Sequence, residues 1–426
     1  PFKMADLKEE NTSKTVYLDY NATTPLAPSV LQIINETLRD AWGNPSSSHV
    51  AGKKAKDVIK LARSRVGDMI GARVEDIIFT SGGTEANNIV FWSLVKHFKT
   101  CYHVNEATKS LPHIITSNIE HDSVSLAIDN LVKEGYCEKS VVGVTPSSGM
   151  VDVDRIIDEI RPNTCLVSIM MANNESGVIQ PINEIVSRIR KLQVDRDRNN
   201  YCKIFIHTDA AQAIGKIKVD VSELGVDYLT IVGHKFYAPR IGALFVRSPS
   251  KETPLYPMLF GGGQERGFRP GTENTGMIAG LGEAAKLVVD NLNTYSAHMR
   301  KVRDYLETRL VKIFPDKIHF NGKFNSSERI PNTCNFSILG PGLQGFCILS
   351  RLKRTQVSLG AACHADQQFS PSRILLAMGI DKEIAGNALR VSVGRETSLD
   401  DIDIVLSDLE QAVNSIQQTT MDVNKV

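Results

Sequence analysis

The sequence predicts an α/β protein in which a large domain surrounds a mostly parallel central sheet and a smaller α+β domain accompanies it. Three observations carry that expectation. Between about Val16 and Val289, short β-rich apolar runs alternate with segments of helical length, the pattern of βα units. After Val289 the order changes to a long helical stretch, then strand-like runs, then a final helix. The chain has 426 residues, 42% of them hydrophobic, enough to bury more than one core.

In chain order, the strand-like runs of the first region are DIIFT, HIITS, CLVSIMM, KIFIHTD and YLTIV. In open sheets of this kind ligands sit beyond the carboxyl ends of the strands, so the residues just after each run matter most. YSAHMRKVRDYLETRLVKIF then reads as a helix, and TCNFSI and LRVSV as strands. The last helix begins near Ser398, where Asp401 completes a pattern like a capping box, and repeats apolar residues at Ile402, Val405, Leu406, Leu409 and Val413. QVDRDRNN and GKFNSSE read as solvated loops.

Composition narrows the function. With 49 basic against 48 acidic residues the formal net charge is +1, so no field of one sign points to nucleic acid or a membrane surface as a partner. A small-molecule substrate is the better match. No run approaches the roughly 18 apolar residues a membrane span needs, no basic-then-apolar leader is evident, and the expected location is the cytosol. The seven cysteines, at 101, 137, 165, 202, 334, 347 and 363, are scattered without a Cys-x-x-Cys pair, which disfavours a disulfide framework and a zinc site. Cys165, Cys202 and Cys334 lie in or beside apolar strand runs and read as core residues.

Three strand ends carry chemistry. After Ile77–Phe79 the chain runs through Thr80, Ser81, Gly82, Gly83 and Thr84 into a helix. Such a glycine-rich helix start either cradles a phosphate or makes an ordinary tight turn. Asp209 follows an apolar run, where it either caps a helix or pairs with a protonated ring nitrogen. His234 and Lys235 end the run YLTIV, and a lysine placed there either faces solvent or forms a Schiff base. Together, a phosphate cradle, a strand-end Asp and a strand-end Lys are three requirements of one cofactor, pyridoxal 5′-phosphate. His207, two residues before Asp209, reads as a packed core histidine; Glu175 as a residue that orients Asn174 or caps a turn. Arg266 and Arg269 are open between an anion and a subunit interface.

From YLDYNATTPLAPSV to ALRVSVGRET the chain resembles the fold-type I pyridoxal-phosphate-dependent transferases, in the class-V aminotransferase branch that holds cysteine desulfurases and selenocysteine lyases. TIVGHKFYAPRIGALFVR, LYPMLFGGGQERGFRPGTENT and PNTCNFSILGPGLQG carry the likeness in detail. The division drawn is 30–293 for the large cofactor-binding domain, and 1–29 with 294–426 for the small domain that carries the catalytic cysteine loop. The resemblance implies that Lys235 of Gly-His-Lys carries the cofactor, that Asp209 and Gln212 meet its pyridine nitrogen and phenolic oxygen, and that His121 stacks on its ring. It implies phosphate contacts from Gly83, Thr84 and His234, with Thr272 reaching into the neighbouring subunit's site in a homodimer. Arg390 and Asn174 are implied for the substrate carboxylate, and Cys363 of GAACHAD as the residue that accepts the chalcogen or protonates the departing group. The expected reaction converts L-selenocysteine to L-alanine, releasing selenium as selenide or passing it to an acceptor such as a selenophosphate-making enzyme. The alternative is a cysteine desulfurase feeding iron–sulfur or tRNA pathways. A non-catalytic adaptor is disfavoured by the retained Lys235, Asp209 and His121, and a cofactor-free cysteine hydrolase using Cys363 and His364 by geometry, since adjacent residues of an extended segment point to opposite faces.

The sequence departs from the family pattern in three places. Val232 stands where relatives commonly carry a phosphate-binding Ser. Asp122 follows the stacking His121 where relatives often carry a non-acidic residue, and it is the candidate for selecting selenium over sulfur. Nothing in the tail resembles the scaffold-binding extension of some bacterial desulfurases.

Overall fold

The computed structural model describes residues 14–101, 110–360 and 370–423. Its strands, in chain order, are β1 (Val16–Tyr17), β2 (Ile77–Thr80), β3 (His113–Ser117), β4 (Glu138–Val142), β5 (Thr164–Ser168), β6 (Phe205–Asp209), β7 (Tyr228–Val232), β8 (Gly242–Val246), β9 (Ile318–Phe320), β10 (Thr333–Ile338), β11 (Thr355–Gln356) and β12 (Ala388–Ser392). Seven of them make the central sheet, in the order β2-β8-β7-β6-β5-β3-β4. All its pairings are parallel except those of β8, which runs antiparallel to both β2 and β7. The mixed, mostly parallel sheet is therefore as expected.

Helices cover both faces of this sheet, and the pleat sorts each strand's residues between them. Ile77 and Phe79, Val167, Ile206, and Leu229 with Ile231 belong to one buried cluster. Their sequence neighbours Ile78, Leu166, Phe205 and Tyr228 belong to the cluster on the opposite face. Continuous apolar runs such as IIFT and YLTIV are what a strand buried on both faces requires. β4, at the sheet edge, is exposed at Glu138, Lys139 and Val141, and this broken apolar pattern is why it does not stand out in the sequence.

A separate core collects Val16 and Leu18 with residues from Met299 to Ile416, around the antiparallel sheet β12-β10-β9. The helix read from Tyr295 is the second half of one 39-residue helix, Thr275–Ile313. Its first half packs Ile278, Leu281, Ala284 and Val288 into the sheet core, and its second half packs Met299, Val302, Leu306 and Leu310 into the other. Two apolar stripes separated by the polar middle Asp290–Thr294 look like separate elements in sequence. The final helix, Leu399–Val423, starts on the expected capping box. The Ser398 N–H donates to Asp401 Oδ2 at 2.9 Å, and the Asp401 N–H returns a bond to Ser398 Oγ at 3.1 Å.

Connections leave β3 toward β4 in one direction and β5 toward β6 and β7 in the other. The crevice between β3 and β5 is thus a topological switch point, where open α/β sheets bind ligands.

Candidate functional site

A cavity of about 280 Å³ opens at the carboxyl ends of β3, β5, β6 and β7. It brings together His121, Asn174, Asp209, Gln212, His234, Lys235 and Arg390, with Gly83 and Thr84 at the start of the helix Gly83–Cys101. These nine residues come from six separate stretches of chain, and only folding makes them neighbours.

Lys235 ends a 3₁₀ turn, Gly233–Lys235, that follows β7 directly. Gly233 has no substitute here, because a Cβ would lie 2.5 Å from Pro239 O and 2.8 Å from Ile241 O. The Lys235 Nζ donates to the carbonyl oxygens of Asn21 and Ala22, at 2.7 and 2.8 Å. Those carbonyls belong to a segment that crosses from β12, bridged at Asp19–Ser392, to the Lys235 turn, where Thr24 N–H donates to His234 O at 2.9 Å. The His234 Nδ1 stands 3.1 Å from Thr23 Oγ1. Burial, with the Lys235 and Arg240 charges nearby, holds the imidazole down at a pKa of about 4, so it is neutral at physiological pH.

Asp209 closes β6 with both carboxylate oxygens engaged. Oδ1 accepts from the Ala211 N–H at 3.0 Å and Oδ2 from Asn87 Nδ2 at 3.0 Å. The local bond belongs to a turn, since no helix follows β6 at this point. Asn87 is wholly buried, and it also donates to Ser123 Oγ at 2.9 Å and accepts from Thr230 Oγ1 at 2.6 Å. Ser123 in turn donates its N–H to Nδ1 of His121, the N-cap of the helix Asp122–Lys133. Asn87 thus ties Asp209 to His121. Burial lowers the His121 pKa, which favours a neutral ring for stacking. His207 is a core residue as expected, bracketed by Ser168 Oγ and Thr230 Oγ1 at 2.8 and 3.1 Å.

Arg390, 1% exposed on β12, binds Asp19 Oδ1 through Nη2 at 2.6 Å and Asn174 O through Nη1 at 3.0 Å. Its Nε is buried with no hydrogen-bond partner among the described residues. A buried guanidinium with an unspent donor, lining a cavity, is suited to an incoming carboxylate.

At the other end of the cavity, the helix Gly83–Cys101 points its first N–H groups and the positive end of its dipole inward. A Cβ on Gly83 would come within 2.6 Å of Val232 Cγ2. The valine side chain fills the space beside the cradle and supplies no hydrogen bond there.

Other expected residues stand elsewhere. Thr272 is exposed and does not line this cavity in its own chain. Asp122 does not line it either, and its carboxylate is ion-paired with Arg373. Cys363 and His364 lie outside the described residues. The Glu175 carboxylate accepts from Ser372 Oγ at 2.5 Å. Arg269 is paired with Glu85, and Arg266 donates to Ile77 O at 3.0 Å, so both serve the fold in this chain.

Sequence reasoning passed over Asn21, Ala22, Ser123, Met170 and Ala172, which line the same cavity. It also passed over the buried supports Asn87 and Glu120. Asn21 and Ala22 act through main-chain oxygens, which leave no mark in side-chain chemistry. The polar pair Asn87-Asn88 inside an apolar helix was the one readable signal.

The arrangement fits a phosphorylated pyridine aldehyde: a lysine amine, a carboxylate, a neutral histidine ring and a helix start converge on one cavity. Comparison with known proteins agrees. The model of the class-V aminotransferase family matches residues 16–405. The chain is 53% identical over 417 residues to selenocysteine lyase of Rattus norvegicus, covering 96% of each. It is 52% identical over 423 residues to selenocysteine lyase of Homo sapiens, covering 96% of this chain and 94% of that one. Mitochondrial cysteine desulfurase of Saccharomyces cerevisiae is 37% identical over 420 residues, covering 97% and 79%. Among solved structures, a NifS-like protein superposes with a TM-score of 0.80 at 31% identity, over 94% of this chain and 99% of that one.

Proposed function

The chain belongs to the class-V aminotransferase family, and from that membership we propose that it is a pyridoxal-phosphate-dependent selenocysteine lyase converting L-selenocysteine to L-alanine. The observation that carries this reading is the convergence of Lys235, Asp209, His121 and Arg390 on one cavity at the switch point of the sheet. Bound there, the cofactor supplies an electron sink for charge developing at the substrate Cα.

The rest is the work of the chain. Lys235, Asp209, Gln212, His121, Gly83, Thr84 and His234 hold the cofactor. Arg390 takes the substrate carboxylate, and Asn174 lies alongside. The Lys235 amine is placed to act as the base that takes the Cα proton and later returns it. The free amine is anchored by the Asn21 and Ala22 carbonyls. Cys363 then accepts selenium or protonates the departing group, and only its thiolate can do the former. A selenol ionises far more readily than a thiol, whose pKa is about 8.5, so selenocysteine arrives with a better leaving group than cysteine does.

In this proposal the enzyme is a homodimer in which Thr272 completes the neighbouring site. Support comes from the exposed Leu259 and the 79% exposed Phe260 in the stretch leading to Thr272, apolar surface of the kind subunit contacts cover. The cytosol, a reducing compartment, suits a chain whose six described cysteines are all free. The acceptor of selenium is then an enzyme that makes selenophosphate. Asp122 sets chalcogen preference in concert with Arg373, because its charge is balanced by that partner.

The test is alanine release from selenocysteine and from cysteine, by wild type and by Cys363→Ala. Wild type is expected to favour selenocysteine strongly, and Cys363→Ala to lose that activity. Comparable efficiency on cysteine would favour the desulfurase reading, and full activity of Cys363→Ala would make the thiol a bystander.

A further inference from the structure

Lys216 is 4% exposed, and among the described residues no carboxylate pairs with it. Lysine is almost never buried this way without a partner. Its Nζ instead donates to two carboxamide oxygens, Gln212 Oε1 at 2.7 Å and Asn21 Oδ1 at 3.1 Å. Burial, with Lys235 and Arg390 adding like charge, lowers its pKa well below that of an ordinary lysine.

The consequence lies in the orientation of Gln212. A carboxamide has one accepting end and one donating end, and its neighbours decide which way it faces. Here Oε1 accepts from the Lys216 amine, while Nε2 donates to the main-chain oxygen of Asn21 at 3.0 Å, a group that only accepts. Reversing the amide would set its oxygen against the Asn21 carbonyl, acceptor against acceptor, and forfeit the hydrogen bond that Lys216 donates. Asn21 is fixed in the same way: its Oδ1 faces Lys216 and Asn332 Nδ2, and its Nδ2 donates to Asn174 O and Thr333 Oγ1. With Oε1 and one N–H spent, Gln212 has its second N–H for the cavity it lines.

We propose that Lys216 is a positioning residue that locks Gln212 with an N–H, never a carbonyl, toward the phenolic oxygen of the cofactor. The inference rests on the cofactor assignment above. It gives the buried lysine a purpose that packing alone would not require, since an apolar side chain would fill the same space without the cost of desolvating an amine.

The test reads the bound cofactor rather than turnover. Purified protein saturated with pyridoxal phosphate is titrated with base, following visible absorbance, for wild type, Lys216→Met, Gln212→Ala and the double variant. The loss of one hydrogen bond to the phenolic oxygen is expected to move the midpoint up by roughly one pH unit. Lys216→Met and Gln212→Ala should shift alike, and the double variant no further. An unchanged midpoint in Lys216→Met, or shifts that add in the double variant, would overturn the proposal even if thermal stability fell. Should Lys216→Met fail to fold, Lys216→Gln places another N–H donor near Oε1. A wild-type midpoint there supports the lock, and the Gln212→Ala midpoint refutes it. A wild type that takes up no pyridoxal phosphate would instead overturn the cofactor assignment.

Discussion

Glu120 is a carboxyl group sealed beside His121, with one oxygen bonded to Ser117 Oγ and to Met170 N–H and the other buried without a partner. Burial, against those two hydrogen bonds, pushes its pKa up to about 8, so the folded protein holds it as a neutral acid at pH 7. In the unfolded chain it ionises near its ordinary value of about 4.5. A raised carboxyl contributes its stability fully below the unfolded value and loses it as pH climbs through the folded one. Glu120→Gln, nearly isosteric and never charged, should therefore gain on wild type as pH rises from 6 to 9, measured as the difference in urea midpoint. A difference that stays constant with pH would show that Glu120 is already ionised in the native state. Asn87 and Lys216 belong to the same scale: each is a buried polar side chain whose partners, not its own identity, assign its role.

Among the elements, the start of the helix Gly83–Cys101 and the turn after β7 meet at the cavity, and each depends on one backbone constraint. The Lys235 turn continues into Tyr237, whose φ of 67° is in the left-handed region. That conformation is held by Thr24 Oγ1, which accepts the Tyr237 N–H at 2.7 Å, and by the Arg395 guanidinium 3.8 Å over the ring. At the helix start, Gly83 and Val232 share a space with no room for a methyl. Valine is stiff at χ1 and cannot swing aside, so Gly83→Ala is expected to cost about 1–3 kcal/mol and to weaken cofactor binding. Gly83→Ala combined with Val232→Ala should recover most of both losses, in thermal unfolding and in equilibrium titration with pyridoxal phosphate. Failure of the second change to rescue would place the defect in the backbone of the cradle rather than in crowding.

For the whole molecule, three histidines set the response to acid. His113, His207 and His234 are each lowered to about 4, with burial the leading cause. Each stays neutral when folded but takes a proton near 6.5 when unfolded, so its stabilisation is complete above about 6.5 and is lost as pH falls toward 4. Glu120 works in the opposite direction over part of this range, one group against three. The protein should thus unfold at lower urea at pH 4.5 than at pH 7, and a flat profile would mean that the histidines are charged in the native state.

Much of this architecture was legible in the chain. A strand buried on both faces is apolar along most of its length, so IIFT, HIITS and YLTIV announced the sheet, and the residues after them announced the crevice. Lys235, Asp209 and the glycine-rich helix start could be found because their residue types are unusual at strand ends, and the resemblance supplied His121, Gln212, Asn174 and Arg390. Other features came only with the tertiary structure. The carbonyls of Asn21 and Ala22 that hold Lys235, the Asp19 and Arg390 pair, the Asp122 and Arg373 pair and the bond from Lys216 to Asn21 each join residues far apart in the chain. Local patterning records what a residue avoids, water or strain, within a few positions of itself. Which distant partner satisfies a buried donor or charge is decided by packing, because a hydrogen bond depends on a few tenths of an ångström that no stretch of sequence specifies alone.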